Sequence, residues 1–415
     1  MLKNCIIIGG GIIGLSTAYY LLKEGHQVTV IDKSDITTGA SFVNAGYITP
    51  SHFIPLAAPG MLSKGIKWML NSSSPFYVKP RLDKDFLQWS WAFHKSATAS
   101  KVEKAIPVLK DINVFGRDLY ESLKTSNEFN FHYDRKGLLM YYKTEVAGEE
   151  EREVGERGIK EGLNVKYLSK TEVKHYEPHV DLDIAGAVYY ESDAHMTPSE
   201  FMTNMYGYLK SQGVTFYTNE TVEDISVDNK NISEIITDKR RLKADEFVLA
   251  AGSWSPLLTK KLGLKIPVQG GKGYRINVER STGIQMPAIL VEAKVAVTPM
   301  HGFTRFAGTM ELGGLNLNIN TKRVQAIANA AATYYKDFNI NAEEIAAADC
   351  GLRPCTPDGL PYIGKSKKCN NLTIATGHAM MGWSLGPATG KLVSELISDK
   401  KITLNLDAFH PDRTF

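Results

Sequence analysis

Asn4-Cys5-Ile6-Ile7-Ile8-Gly9-Gly10-Gly11-Ile12-Ile13-Gly14 is the stretch that decides the fold. Ile6 to Ile8 read as a strand buried on both faces, the mark of a parallel sheet, and the glycines turn that strand into a helix. In this pattern Gly9 permits the turn, Gly11 lets backbone approach a pyrophosphate, and Gly14 lets the helix pack closely on the sheet. The helix start, at Ile12 and Ile13, offers free N–H groups and a positive dipole end to phosphates. Ile12, Leu15, Ala18, Tyr19 and Leu22 form an apolar helical stripe that Gly25 closes. Val28 to Ile31 is a second strand, and Asp32 at its end stands where an acid meets a ribose hydroxyl of a dinucleotide.

The chain has 415 residues, enough for two or three domains, with 43% hydrophobic and 22% charged residues. A net charge of +3 with no long basic run gives no argument for nucleic acid. The four cysteines, Cys5, Cys350, Cys355 and Cys369, lack disulfide or zinc spacing, so reduced thiols in a cytoplasmic protein and no metal site are expected. The N-terminal apolar run is consumed by the glycine turn and does not read as a signal peptide. Residues 36–63 carry no charge, but Pro50, Pro55 and Pro59 spoil a spanning helix, so uncharged backbone wrapping a cofactor is expected there. Ile66 to Leu70 and Phe86 to Trp91 mix aromatic and basic residues, which leaves peripheral contact with the inner face of the cell membrane open beside burial in the core.

Further along, helix and strand patterns interleave. Polar helices are expected over 84–124, a strand over Gly137–Tyr142, a charged helix over Glu149–Gly162, and a helix from Pro198 to Ser211 followed by the strand Val214–Tyr217. Val222 to Leu242 reads as an antiparallel meander, Phe247 to Gly252 as a buried strand, and Ala288–Val297 and Phe303–Gly308 as further strands. The fold class is α/β: a Rossmann-like domain interleaved with a β-rich α+β substrate domain. The expected division is 1–85, 149–268 and 345–415 for the first, and 86–148 and 269–344 for the second, with strand 187–190 near the substrate.

Four stretches carry a resemblance: the opening glycine unit; Asn44-Ala45-Gly46-Tyr47-Ile48-Thr49-Pro50; Ala57-Ala58-Pro59-Gly60 with Ile66-Lys67-Trp68-Met69; and Gly351-Leu352-Arg353-Pro354-Cys355-Thr356-Pro357-Asp358-Gly359. Together they resemble the D-amino acid dehydrogenases of the FAD-dependent D-amino acid oxidase and glycine oxidase superfamily, over nearly the whole chain. The resemblance implies non-covalent FAD, held by Gly9, Gly11, Ile12, Ile13, Gly14, Asp32, Lys33, Ser41, Asn44, Ala45, Gly46, Val222, Ala251, Gly252 and Trp254. It places Gly377, Met381, Gly382 and Trp383 against the flavin, at a helix start whose dipole favours the reduced ring. Gly351 stands where relatives with covalent flavin have a cysteine.

By the same resemblance Arg353 binds the substrate carboxylate, a role that suits a planar guanidinium, with pairing to Asp349 or Asp358 as the structural alternative. Tyr274, in Lys272-Gly273-Tyr274, lines the site, and His378 serves either chemistry or backbone contact. His195 and Met196 fall where a substrate-facing strand meets a helix. The implied reaction is oxidative deamination of a D-amino acid: a hydride passes from the α-carbon to flavin N5, giving a 2-oxo acid and ammonia, and electrons go on to a quinone or another acceptor. Three alternatives stand beside it: an oxygen-using oxidase or a D-proline or hydroxyproline dehydrogenase, separated by peroxide and substrate assays; an enzyme using NAD alone; and a flavin protein without turnover.

Overall fold

The computed structural model describes residues 1–59, 76–79, 81 and 83–415. Gly60 and the stretch Ile66 to Leu70, with the readings placed on them, lie outside these residues. β1 (Asn4–Ile8) and β2 (Gln27–Ile31) pair in parallel around α1 (Ile12–Lys23), and β1 pairs on its other side with the strand Glu246–Leu249. Outward from there the sheet adds Thr215–Tyr217 beyond β2, and Leu372–Thr376 then the antiparallel Tyr362–Lys365 at the other edge. The chain therefore builds outward from β1 in both directions. A ligand crevice is expected at the carboxyl end of β1, where the order reverses.

α1 buries more than its predicted stripe: Ile13, Gly14, Ser16, Thr17 and Leu21 are covered as well. The helix Gly382–Ile397 packs across that second face, and a Cβ on Gly390 would meet the backbone carbon of Ser16 at 2.5 Å. Pro387 deprives Trp383 of its helical hydrogen bond, and the Tyr120 hydroxyl donates to that carbonyl instead at 2.8 Å. The helix survives its proline because a neighbouring helix, Ala99–Ser126, supplies the missing donor.

A second, mixed sheet runs in the order Asp349–Cys355, Gln269–Val278, Phe303–Leu312, Val295–Met300, Ala288–Leu290, Leu138–Tyr142, Gly186–Tyr190, Val165–Ser169, with Phe76–Val78 beside Phe303–Leu312. Its core joins Ile276, Phe306, Val297, Leu139 and Tyr141 to Val324, Ile327 and Ala331 of the helix Thr321–Tyr334. Sheet membership thus places Val165–Ser169, Gly186–Tyr190 and Asp349–Cys355 in the β-rich layer, although they fall inside stretches expected in the first domain, where strand 187–190 alone was expected near the substrate. Strand patterns carry no label for the sheet they will join, because pairing is decided by distant partners. The expected single strand Ala288–Val297 is a hairpin, broken by a turn at Lys294 whose φ is +52°.

The expected meander over Val222–Leu242 forms a separate antiparallel sheet of three strands. A last small sheet joins Tyr47–Ile48, Ala194–Met196 and Tyr133–Asp134. Among the described residues no helix is long and apolar enough to cross a membrane. The helix Lys84–Ser96 divides the aromatic stretch: Trp89 is buried, while Leu87 and Trp91 are 50% and 62% exposed.

Candidate active site

A cavity of about 840 Å³ opens at the carboxyl ends of β1 and β2 and runs to the second sheet. Its first wall is the glycine turn. A Cβ on Gly9, at φ +111°, would meet the Ala250 carbonyl oxygen at 2.4 Å, so only glycine fits the turn. One on Gly14 would lie 1.8 Å from the Gly9 carbonyl oxygen, whereas one on Gly11 would meet only the Ser41 hydroxyl, at 3.2 Å. Gly11 therefore faces the cavity, and Gly14 serves helix packing outside it. Ser41 accepts from the Ile12 N–H at 3.0 Å and the Ile31 carbonyl from the Gly9 N–H at 2.8 Å, which closes two donors around the turn.

Asp32 accepts from the N–H groups of Gly10 at 2.6 Å and Ser34 at 2.8 Å, and from the Ser34 hydroxyl at 2.7 Å. A carboxylate has about four acceptor positions, so one remains for a ribose hydroxyl. The Lys33 ammonium sits 3.3 Å from the centre of the Trp254 ring, and burial lowers its pKa. Asn44, Ala45, Val222, Ala251 and Gly252 also line the cavity, as do Ile12, Ile13, Met381, Gly382 and Trp383. Gly46 and Gly377 do not. Both have positive φ, +78° and +83°, and a Cβ on them would meet the Met196 carbonyl oxygen at 2.3 Å and the Thr356 methyl at 2.4 Å, so they shape the loops behind the wall.

The far wall belongs to the second sheet. The Arg353 guanidinium lies flat on Gly273, where a Cβ would come within 2.1 Å of it, and donates to the Thr309 carbonyl at 2.8 Å. Neither acid weighed as its partner reaches it: Asp358 is held by Arg413 at 2.7 Å, and Asp349 faces Arg275 at 3.3 Å. Among the described residues no carboxylate forms a salt bridge with Arg353, and burial lowers its pKa. Thr309, on the same wall, occupies a β-bulge opposite Gly273 at φ +59°, unusual for a β-branched residue, and its hydroxyl is buried without a partner. Nothing in the sequence announces Thr309, since its place depends on the register between two strands.

Two expected chemical groups are otherwise engaged. Tyr274 lines the cavity, but its hydroxyl donates to Glu311 at 2.9 Å, and burial pushes its pKa up. His378 lines it too, with its ring 2.9 Å from the Thr389 hydroxyl and burial pushing its pKa down to about 3. It is neutral and anchors the turn onto the helix Gly382–Ile397. The strand Gly186–Tyr190, His195 and Met196 do not line the cavity; of the small sheet it is Tyr47, paired with His195, that does. The Cys350 thiol is directed at the Leu317 carbonyl, 3.2 Å away. Sequence also missed His52, a cavity residue whose pKa burial lowers to about 4, and Arg305, which binds the carbonyls of Phe42 and Asn44 at 2.9 and 2.6 Å.

A model of FAD dependent oxidoreductases, the DAO family, matches residues 4–396. The chain belongs to this family. The oxidoreductase is 33% identical over 409 residues to a D-amino acid dehydrogenase of Helicobacter pylori, covering 98% of each chain. It is 29% identical over 412 residues to one of Neisseria meningitidis, covering 97% of each. Its fold matches glycine oxidase from Geobacillus kaustophilus with a TM-score of 0.77 at 23% identity, covering 100% of this chain and 99% of that one. It also matches L-proline dehydrogenase from P. horikoshii with a TM-score of 0.74 at 20% identity, covering 99% and 97%. The glycine turn, the free acceptor position of Asp32 and the cavity volume fit the FAD that the oxidoreductase depends on.

Proposed function

We propose that this chain is an FAD-dependent D-amino acid dehydrogenase. The observation that carries the reading is Arg353: a half-buried guanidinium on the cavity wall with one backbone partner and, among the described residues, no salt bridge. Burying such a charge is costly unless an anion completes it, and a planar fork matches a carboxylate. The unpartnered Thr309 hydroxyl beside it offers a further donor to the same ligand.

Held this way by its carboxylate, an amino acid keeps its α-carbon and amine inside the cavity, shielded from water. When bound, FAD supplies the two-electron acceptor that takes the α-hydrogen as hydride, and the amine lone pair closes the C=N bond. Tyr274 and His378 are engaged by Glu311 and Thr389, and in this reading the substrate enters with its amine neutral. The imino acid then hydrolyses to a 2-oxo acid and ammonia. The relatives' names support the D configuration, and a quinone or similar carrier is the proposed acceptor. Leu87 and Trp91 are the residues a lipid surface would meet, a contact that co-sedimentation with anionic vesicles tests.

The test is an anaerobic titration of the yellow protein with D- and L-amino acids and prolines, followed at the oxidised flavin band. Bleaching by D-forms is expected, with no peroxide formed in air. Bleaching by L-forms alone would overturn the configuration, and no bleaching by any of them would overturn the reaction.

A further inference from the structure

A second group of ligating side chains lies outside the cavity. The pairing of Tyr133–Asp134 with Ala194–Met196 sets Asp134 directly across from His195. Directly opposed residues of an antiparallel pair share a face, and so do residues two apart on a strand, which brings in His132. One ligand atom from each of His132, Asp134 and His195 lies within 4.8 Å of the other two. His132 Nε2 is 3.5 Å from Asp134 Oδ2; ligands on a tetrahedral metal with bonds near 2.1 Å stand about 3.4 Å apart.

The surroundings orient these groups. His132 Nδ1 is engaged by the Thr197 hydroxyl at 2.9 Å, and that oxygen also accepts from the His301 N–H at 2.9 Å. This leaves His132 Nε2 facing the carboxylate, the kind of outer contact that fixes a metal-ligating imidazole. His195 is 1% exposed, and its Nδ1 has no hydrogen-bond partner. A buried ring nitrogen left unpaired next to a histidine and a carboxylate independently points to a ligand. Lys136 reaches Asp134 Oδ2 at 3.1 Å from the outer side, and the carboxylate keeps further acceptor positions.

We propose that His132, Asp134 and His195 bind one divalent transition-metal ion of the zinc class. Two imidazole nitrogens and one carboxylate oxygen suit zinc and its neighbours and not calcium or magnesium, which take oxygen sets. The His301 ring lies 6.2 Å from that of His132 with its Nδ1 3.2 Å from Glu200, and water would complete the ion's coordination. The ion would pin the small sheet that stands behind the cavity: His195 pairs with Tyr47, and the Met196 N–H bonds the Gly46 carbonyl at 2.9 Å, next to Asn44 and Ala45.

Calorimetric titration of the flavin-loaded protein with zinc chloride tests this independently of the substrate. One ion per chain is expected, with a Kd on the order of micromolar, together with a rise in melting temperature that calcium chloride does not produce. His132→Ala and Asp134→Asn, both at partly exposed positions, are each expected to weaken binding by at least about tenfold while keeping the flavin spectrum. His195→Gln is expected to do the same. Absence of saturable zinc binding by the wild type, or binding unchanged in His132→Ala and Asp134→Asn, would overturn the proposal. A variant that loses its flavin spectrum is replaced in the comparison by the one that keeps it, and equal binding there overturns it too.

Discussion

Arg353 owes its importance to what does not touch it. With Asp358 held by Arg413 and Asp349 facing Arg275, no described carboxylate pairs with its guanidinium, and its proposed partner is the substrate. Arg353→Ala is expected to raise KM for the amino acid on the order of 100-fold, about 3 kcal/mol, as a charge-assisted pair is lost. Arg353→Lys is expected to recover only part of this, because an ammonium cannot reproduce the fork. Thr309→Val is expected to raise KM by a few-fold, at the scale of one neutral hydrogen bond. Steady-state kinetics with unchanged KM in Arg353→Ala would remove it from the site. His378 makes a different kind of prediction. The unfolded chain binds a proton at this residue below about 6.5, and the folded chain only near 3, so the stability it contributes is present at neutral pH and is lost as pH falls from 6.5. The stability gap between wild type and His378→Gln is therefore expected to be largest at pH 7 and above, narrowing by on the order of 1 to 3 kcal/mol toward pH 4. Denaturant unfolding across that range measures it; a gap independent of pH would show that the imidazole is not held neutral.

At the scale of elements, the turn from β1 into α1 separates folding from binding in two glycines three residues apart. Gly14→Ala drives a methyl into the Gly9 carbonyl, which lies 1.8 Å from the ideal Cβ position, so the helix must move off the sheet. A loss of melting temperature in the FAD-free protein is expected, by several kcal/mol of stability as for other overpacked sites. Gly11→Ala meets only the Ser41 hydroxyl and projects into the cavity. Its FAD-free form is expected to melt near the wild type while FAD affinity falls at least about tenfold, since the backbone can no longer approach the pyrophosphate. Thermal melts with and without FAD distinguish the two, and equal behaviour would mean the turn does not divide its work this way.

Across the whole molecule, the cavity exists because two sheets are held at a fixed distance, and Arg305 does part of the holding. From Phe303–Leu312 in the second sheet it reaches the carbonyls of Phe42 and Asn44 in the cofactor loop, while Asn277 accepts from its Nε at 3.0 Å. Burial and the neighbouring Arg275 lower its pKa to about 9. Arg305→Met keeps the length but abandons two half-buried carbonyls and an amide, a cost of roughly 1 to 3 kcal/mol. Weakened FAD retention is expected with it, because Asn44 and Ala45 line the cavity. Retention and melting temperature equal to wild type would assign the spacing of the sheets to other contacts.

The opening strand, glycine turn and acid were legible in the residues because they are local: a β-branched run, glycines at set spacing and Asp32 at a strand end specify geometry within 32 residues. The charge-free loop and the Gly-Leu-Arg-Pro run were legible as motifs, and they carried the family and the choice of Arg353. Sheet membership was not legible, since Val165–Ser169 and Asp349–Cys355 read as strands that could join either layer. Nor was the fate of polar side chains. Tyr274 is claimed by Glu311 and His378 by Thr389, partners 37 and 11 residues away, which only packing brings within reach. Thr309 and the cluster of His132, Asp134 and His195 were hidden for the same reason. A bulge and a cross-strand pair are set by the register between distant strands, and one residue of slip would turn each of these side chains to the opposite face.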